Sequence, residues 1–470
     1  MNISSTKNAK ISIVTFSLMN ITTVLSTRGL APEAEYGLTS IFYYLFAAIF
    51  FLIPVALVAA ELATGWPQRG GVFTWIKAAF GEKFGFLAIY LQWIATTICF
   101  PTMLIFIAVS FAFIEPDYTK WLATNKYYTL IVVLAVYWFS TYTTSKGIKS
   151  AAKISAISGF IGTIIPLFLL ITLGIAYVIF SHNINFVVSE NVLLPDFTKF
   201  HSLVLAASVF LFYSGMEINA VHVQELNNPS KSYPFAISIA SIITVILLVL
   251  GTLAISAVIP KANLNLVESL FATYDTIFRY FHIPWMSHII TSCIAIGVFG
   301  QVTVIVAGPS TGLFAVGQQG YLPTLLQKFN KHNVQMPILY IQGIIVTVLS
   351  LLLIILPSVQ STFQILGQLA AILYLSMYML MFLSVIYLRY KEPETPRPYK
   401  IPGGKFGIWV IAGVGFIASL LAFILSFIPP SQINTGNSIN YIFILFISTL
   451  LFISIPFVIL KYKKKSWLNN

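Results

Sequence analysis

Two stretches of this chain put chemistry where an apolar sequence has little use for it. One is FYSGMEINAVHVQELNNP, Phe212 to Pro229; the other is LSTRGLAPEAEYG, Leu25 to Gly37. Both interrupt long apolar runs in a chain with only 9% charged residues. A helix broken inside an apolar medium leaves backbone N–H and C=O groups without partners, each at a cost of several kcal/mol. Such breaks persist only where protein or a polar cavity satisfies those groups. A half-helix that begins after a break offers N–H groups and partial positive charge to an anion. One that ends at a break offers carbonyls to a cation. Two breaks side by side therefore suit a zwitterion such as an α-amino acid. The competing reading is a pair of Gly- or Pro-kinked structural helices.

Single residues sharpen the choice. Glu217 stands two positions after Gly215, at the expected start of the second half-helix. Low dielectric disfavours its charge, whereas a positive helix end favours it. It can carry a proton through a cycle or cap the half-helix as a permanent anion. His222 and Glu225 approach the end of that span. His222 is a pH sensor by intrinsic chemistry or an interface residue by position, and Glu225 is a gate ion-pair partner or loop anchor. Arg28 falls inside the first apolar run, where an arginine is expensive and usually functional. It can grip a substrate carboxylate bidentately or pair with Glu217, Glu33 or Glu35. A shifted boundary would instead leave it at the water interface. Gln301, a lone amide in GVFGQVTVIVAGPSTG, can line a pocket or bond helix to helix. Tyr374 and Tyr378 are one helical turn apart and share a face, suiting a lid or ordinary packing. Glu61 ends an apolar run just before GWPQRGGVFTW and suits a structural or gating contact. No H-E-x-x-H, G-x-S-x-G or P-loop pattern occurs, so neither an enzyme nor a metal or cofactor site is expected.

The elements that position these residues follow from composition. The chain has 470 residues, 58% of them hydrophobic, so lipid must be its main solvent. Twelve runs suit spanning helices of about 20 residues: 11–34, 38–63, 84–113, 127–143, 153–180, 203–227, 233–258, 286–316, 337–356, 362–389, 406–428 and 440–460. With the N-terminus inside, only Lys120, Lys126, Lys199, Lys261 and Arg279 of the 26 Lys and Arg lie on the outer side, and Arg28 on neither. That bias places both termini in the cytoplasm of a multi-pass cell-membrane protein and explains the net charge of +12 without nucleic acid. Cys99 and Cys293 lie in apolar runs and suggest neither a disulfide nor a metal. The apolar run after Lys7 and Lys10 lacks a small-residue cleavage site and is read as a retained first helix. The whole of 1–470 reads as one membrane domain, and RYKEPETPRPYKIPGGK, Arg389–Lys405, as a structured loop. Spans 1 and 6 are the interrupted ones, and each opens a group of five. An odd number per group inverts the second relative to the first. The repeats are thus expected at 10–180 and 203–389, with 406–460 added as two peripheral helices.

At these motifs the chain resembles the amino acid–polyamine–organocation superfamily, and most of all its glutamate/γ-aminobutyrate antiporter branch. The resemblance is carried by AAELATGWPQRGGVFTW, FYSGMEINAVHVQELNNPSKSYPFA, GPSTGLFAVGQQGYLP and RPYKIPGG, and it runs from about residue 10 to 460. It implies an all-α, five-plus-five inverted-repeat fold with discontinuous helices 1 and 6. It implies exchange of amino acids by alternating access, with proton-coupled uptake as the alternative. By it, Thr27, Arg28 and Gly29, together with Tyr213, Ser214, Gly215, Met216 and Glu217, hold the substrate's α-amino and carboxylate groups. Gln301 falls where that branch carries a polar or acidic residue, and Tyr374 and Tyr378 fall on the helix lining the pocket. An arginine in STRGL departs from the small residues usual in the superfamily.

Overall fold

Backbone polar groups in lipid must be satisfied within the segment that carries them, so long apolar runs become helices. The computed structural model, which describes residues 11–67, 70–114, 119–147, 158–186, 193–196, 204–219 and 226–468, follows that rule. Its described residues form no strand, only an isolated bridge between Ile11 and Leu226. In chain order the principal helices are α1 (Ile13–Val24), α2 (Leu30–Ala34), α3 (Gly37–Gly65), α4 (Val72–Phe80) and α5 (Glu82–Ala112). Next come α6 (Lys126–Ser145), α7 (Phe160–Ser181), α8 (Ser208–Phe212), α9 (Met216–Asn219), α10 (Pro229–Val258) and α11 (Ser269–Tyr280). The last are α12 (Trp285–Tyr321), α13 (Met336–Ile355), α14 (Val359–Lys391), α15 (Gly404–Ser426) and α16 (Ser438–Lys461).

Among the described residues nine of these, α3, α5, α7, α10 and α12 to α16, are long and apolar enough to cross a membrane. Of the other three expected spans, the first and sixth are the interrupted ones. The fourth is α6, a 20-residue helix richer in Thr, Ser and Tyr. Burial sorts centre from edge. In α5 and α14 the most apolar stretch is 83% and 78% buried, against 33% and 22% in α15 and α16. The two most enclosed helices therefore carry Gln92, Tyr374 and Tyr378, and the last two helices sit at the rim.

Lipid tails are as apolar as leucine, so helices here associate through close packing and buried hydrogen bonds. Gln342 on α13 shows the second device. Its Oε1 accepts from Trp93 Nε1 of α5 at 3.0 Å and from the Ser310 hydroxyl of α12 at 2.7 Å. Its Nε2 donates to the Tyr137 hydroxyl of α6 at 3.1 Å. One amide thus joins four helices.

Close packing is most acute where α7 meets α12. The first turn of α7, Phe160–Ile164, is a wide π-type turn, and it presses Gly162 onto Gly297. A Cβ on Gly297 would lie 2.5 Å from Gly162 Cα. Gly297→Val is therefore expected to drive the two helices apart and cost about 1–3 kcal/mol. The check is the unfolding temperature of the purified protein in detergent; no change would show that α7 yields freely.

The loop after α14 is pinned to the end of α3. Glu61, fully buried, receives Arg389 through Nε and through Nη2 (2.6 Å), and its Oε2 also accepts Ile401 N–H at 2.9 Å. Arg397 Nε approaches the same carboxylate at 3.7 Å, and its guanidinium lies 4.9 Å from the Trp66 ring centre.

Candidate functional site

The first break opens because Leu25 and Ser26 turn extended, with ψ of 114° and 121°. A 3₁₀ turn, Thr27–Gly29, follows before α2 begins at Leu30. Pro32 stands within the first turn of α2, where its missing N–H removes no helical bond. The second break runs through Tyr213, Ser214 and Gly215. Gly215 has φ of +118°, a conformation in which side chains are strained.

The two breaks meet. The Phe212 ring covers Gly29, 2.7 Å from where a Cβ would stand. Asn219 Nδ2 donates to Thr23 Oγ1 at 2.9 Å and to Met19 O at 3.3 Å, tying α9 to α1. The Tyr44 hydroxyl donates to Gly29 O at 3.4 Å, while Tyr213 donates to Tyr44 O at 3.3 Å. Groups freed by the breaks thus find protein partners on both sides.

Glu217 lies beside this junction, 1% exposed. Three donors converge on it: Gln92 Nε2 at 2.9 Å, the Tyr374 hydroxyl at 3.2 Å and the Tyr378 hydroxyl at 2.5 Å. These three bonds fix the position of the carboxyl group, and the two phenols can serve it with or without its proton, because a hydroxyl both donates and accepts. Tyr378 also accepts the Gly215 N–H at 2.8 Å. One phenol therefore links the open backbone of the break to the carboxylate, and the phenols of Tyr374 and Tyr378 lie with ring centres 5.3 Å apart.

The family profile described as amino acid permease matches residues 11–450. The chain belongs to the amino acid permease family. An uncharacterised transporter of Legionella pneumophila is 38% identical over 451 residues, 96% of each chain. A glutamate/γ-aminobutyrate antiporter of Lactococcus lactis is 34% identical over 461 residues, 97% of this chain and 91% of that one. A probable agmatine/putrescine antiporter of the same species is 24% identical, covering 89% and 88%. The matched family lies in the amino acid–polyamine–organocation superfamily, and it and these relatives are transporters, not enzymes.

In this permease Thr27, Gly29, Tyr213, Gly215, Met216 and Glu217 are buried, and Ser214 is half-buried. Arg28 is partly buried on the 3₁₀ turn. Its Nε donates to Ser26 Oγ at 3.1 Å and its Nη1 to Thr102 Oγ1 at 3.3 Å. Among the described residues Arg28 forms no ion pair with Glu217, Glu33 or Glu35, the second of the alternatives its sequence position offered. Glu217 has its three donors, Glu33 accepts the Ser208 hydroxyl, and Glu35 pairs with Lys261 at 3.3 Å. Gln301 donates to Thr163 Oγ1 of α7 at 3.3 Å, one turn beyond the Gly162–Gly297 contact. That bond fits the helix-to-helix reading of its amide. His222 and Glu225 lie outside the described residues. Among the described residues no three of His, Cys, Asp and Glu gather as a metal site would require.

Two residues of the site were not singled out from the sequence, Gln92 and Thr102. The signal for Gln92 was the same as for Gln301, an amide inside a long apolar helix. Thr102 carries none, because threonines are common in these helices.

Proposed function

We propose that this permease is a secondary active amino acid transporter that exchanges glutamate or a related amino acid for γ-aminobutyrate or another amino acid by alternating access. The observation that carries the reading is the meeting of two helix breaks beside a buried carboxylate held by three donors. Resemblance to a glutamate/γ-aminobutyrate antiporter supports the substrate class. The fold we propose has twelve spans in two inverted groups of five, two peripheral helices and both termini in the cytoplasm. Substrate α-amino and carboxylate groups meet the backbone at Thr27–Gly29 and Tyr213–Glu217. Tyr374 and Tyr378 brace the second break, and Gln301 lies on the supporting wall.

Counterflow in proteoliposomes tests this. Uptake of labelled glutamate is expected only when the vesicles hold an internal amino acid. Uptake into empty vesicles driven by a pH gradient would establish proton-coupled uptake instead, and absence of any amino acid movement would sink both. Arg28 makes a second prediction. A partly buried guanidinium with hydroxyl partners alone, and no carboxylate within ion-pair distance among the described residues, is suited to a substrate's side-chain carboxylate. Arg28→Ala should weaken acidic substrates by about 1.5–3 kcal/mol, the worth of a charged hydrogen bond, and neutral ones far less. Competition assays with both classes decide it, and equal losses would assign Arg28 to shaping the break.

A further inference from the structure

The two breaks carry two fully buried carboxylates, and they are held very differently. Glu217 has three donors. Glu33, on α2, has one. Its Oε1 accepts the Ser208 hydroxyl of α8 at 2.5 Å, and its Oε2 has no hydrogen-bond partner among the described residues although Glu33 is 0% exposed. No Lys, Arg or His among those residues lies within ion-pair distance of it. The titratable groups near it are phenols: Tyr36 beyond α2, Tyr43 and Tyr44 of α3, and Tyr213 of the second break. From α10 come only neutral contacts, Ser256 Oγ to Ala34 O at 2.8 Å and Thr252 Oγ1 to Leu30 O at 3.5 Å. The charged pair of α11, Asp275 with Arg279 at 2.7 Å, is closed on itself, and Lys261 is spent on Glu35.

We propose that Glu33 is a proton-binding site of the transport cycle. An anion with one donor, an unmet oxygen and no counter-charge is among the most expensive groups to bury. A proton from water removes the charge and leaves a neutral carboxyl. The Ser208 hydroxyl serves either form, donating to the carboxylate or accepting from the carboxyl. Placement gives the proton a task. Glu33 and Ser208 lie on α2 and α8, short helices on the same side of the two breaks, and their bond holds the pair together. When α2 and α8 separate, water reaches the carboxyl and the proton leaves; when they close, it is bound again. The link between this proton and exchange rests on the transport reading above. The proton site itself does not.

Infrared difference spectra of the purified full-length protein, stepped across pH, read the carboxyl directly. Wild type should show a carboxyl C=O band that comes and goes with pH, and Glu33→Gln should lose it while keeping the wild-type unfolding temperature. Identical spectra for the two proteins would overturn the assignment whether or not the protein transports anything. In proteoliposomes wild-type exchange should fall as pH rises past the point where Glu33 loses its proton, by about tenfold per unit for a one-proton step. Glu33→Gln, neutral at every pH, should hold within about twofold over the same range. A Glu33→Gln profile as steep as that of wild type would show that the carboxyl proton is not coupled to exchange and would overturn the cycle role.

Discussion

Glu61→Ala is expected to lower the stability of the folded protein by about 3–5 kcal/mol, the largest effect of any single change outside the helix breaks. The reason is arithmetic of charge in a buried place. Arg389 is 11% exposed and Arg397 is 1% exposed, and both reach the Glu61 carboxylate. Removing it takes the shared counter-charge from two guanidinium groups and the acceptor from the Ile401 N–H, leaving Arg389 only the Ile401 carbonyl at 3.2 Å. Burial already pulls the Arg397 guanidinium below its ordinary value, Glu61 working against that and Arg389 adding to it. Arg397 does keep other partners, the carbonyls of Leu388 at 3.0 Å and Glu392 at 2.9 Å and the face of Trp66. That difference makes a control. Glu61→Leu combined with Arg389→Met removes both members of the tighter pair and leaves only the better-supported arginine. The double variant should therefore unfold at a higher temperature than Glu61→Ala alone. Thermal unfolding in detergent, read alongside the fraction of monodisperse protein, measures both. A Glu61→Ala protein that melts like wild type would show that the loop 392–403 is not anchored by this ion pair.

What sequence reading could reach here was set by distance along the chain. The breaks were legible because Gly, Ser and charge stand out within apolar runs, and breaks are local. Glu217 was legible by rarity. Its donors were not equally so: Tyr374 and Tyr378 declared a shared face by spacing, but Gln92 lies 125 positions away on another helix. Arg28 shows a choice that spacing leaves open. Three acids lay close in sequence or in the matched break, and proximity suggested a pair. Which acids lie within reach of the guanidinium, and what else each of them meets, are three-dimensional facts that spacing does not contain. Glu61 was legible as a contact point, yet its partner Arg389 is 328 positions on. The wide turn that seats Gly162 on Gly297 had no local signal at all, because two glycines 135 positions apart look like any others in this sequence.

Glu217 carries the second large effect. Glu217→Ala is expected to reduce exchange by about 100-fold or more, and Glu217→Gln by about tenfold, with the fold intact in the second case. Alanine leaves the Gln92 amide and two phenols without their shared acceptor, each bond to a charged group being worth about 1.5–3 kcal/mol. It also frees Tyr378, whose oxygen accepts the Gly215 N–H, so the backbone of the break loses its brace as well. Glutamine keeps the shape and one acceptor oxygen but turns an amide NH₂ toward donors. At about 1.4 kcal/mol per factor of ten, one such mismatch suffices for the smaller loss. The two candidate roles separate in the pH profile. If the carboxylate braces the break as a standing anion, Glu217→Gln lowers the rate at every pH and leaves the shape of the profile to Glu33. If instead the profile flattens in Glu217→Gln and survives in Glu33→Gln, the proton belongs to Glu217 and the donors around it must rearrange during the cycle. Exchange rates of the two glutamine variants, measured side by side from acid to alkaline pH, distinguish these outcomes with one set of vesicles.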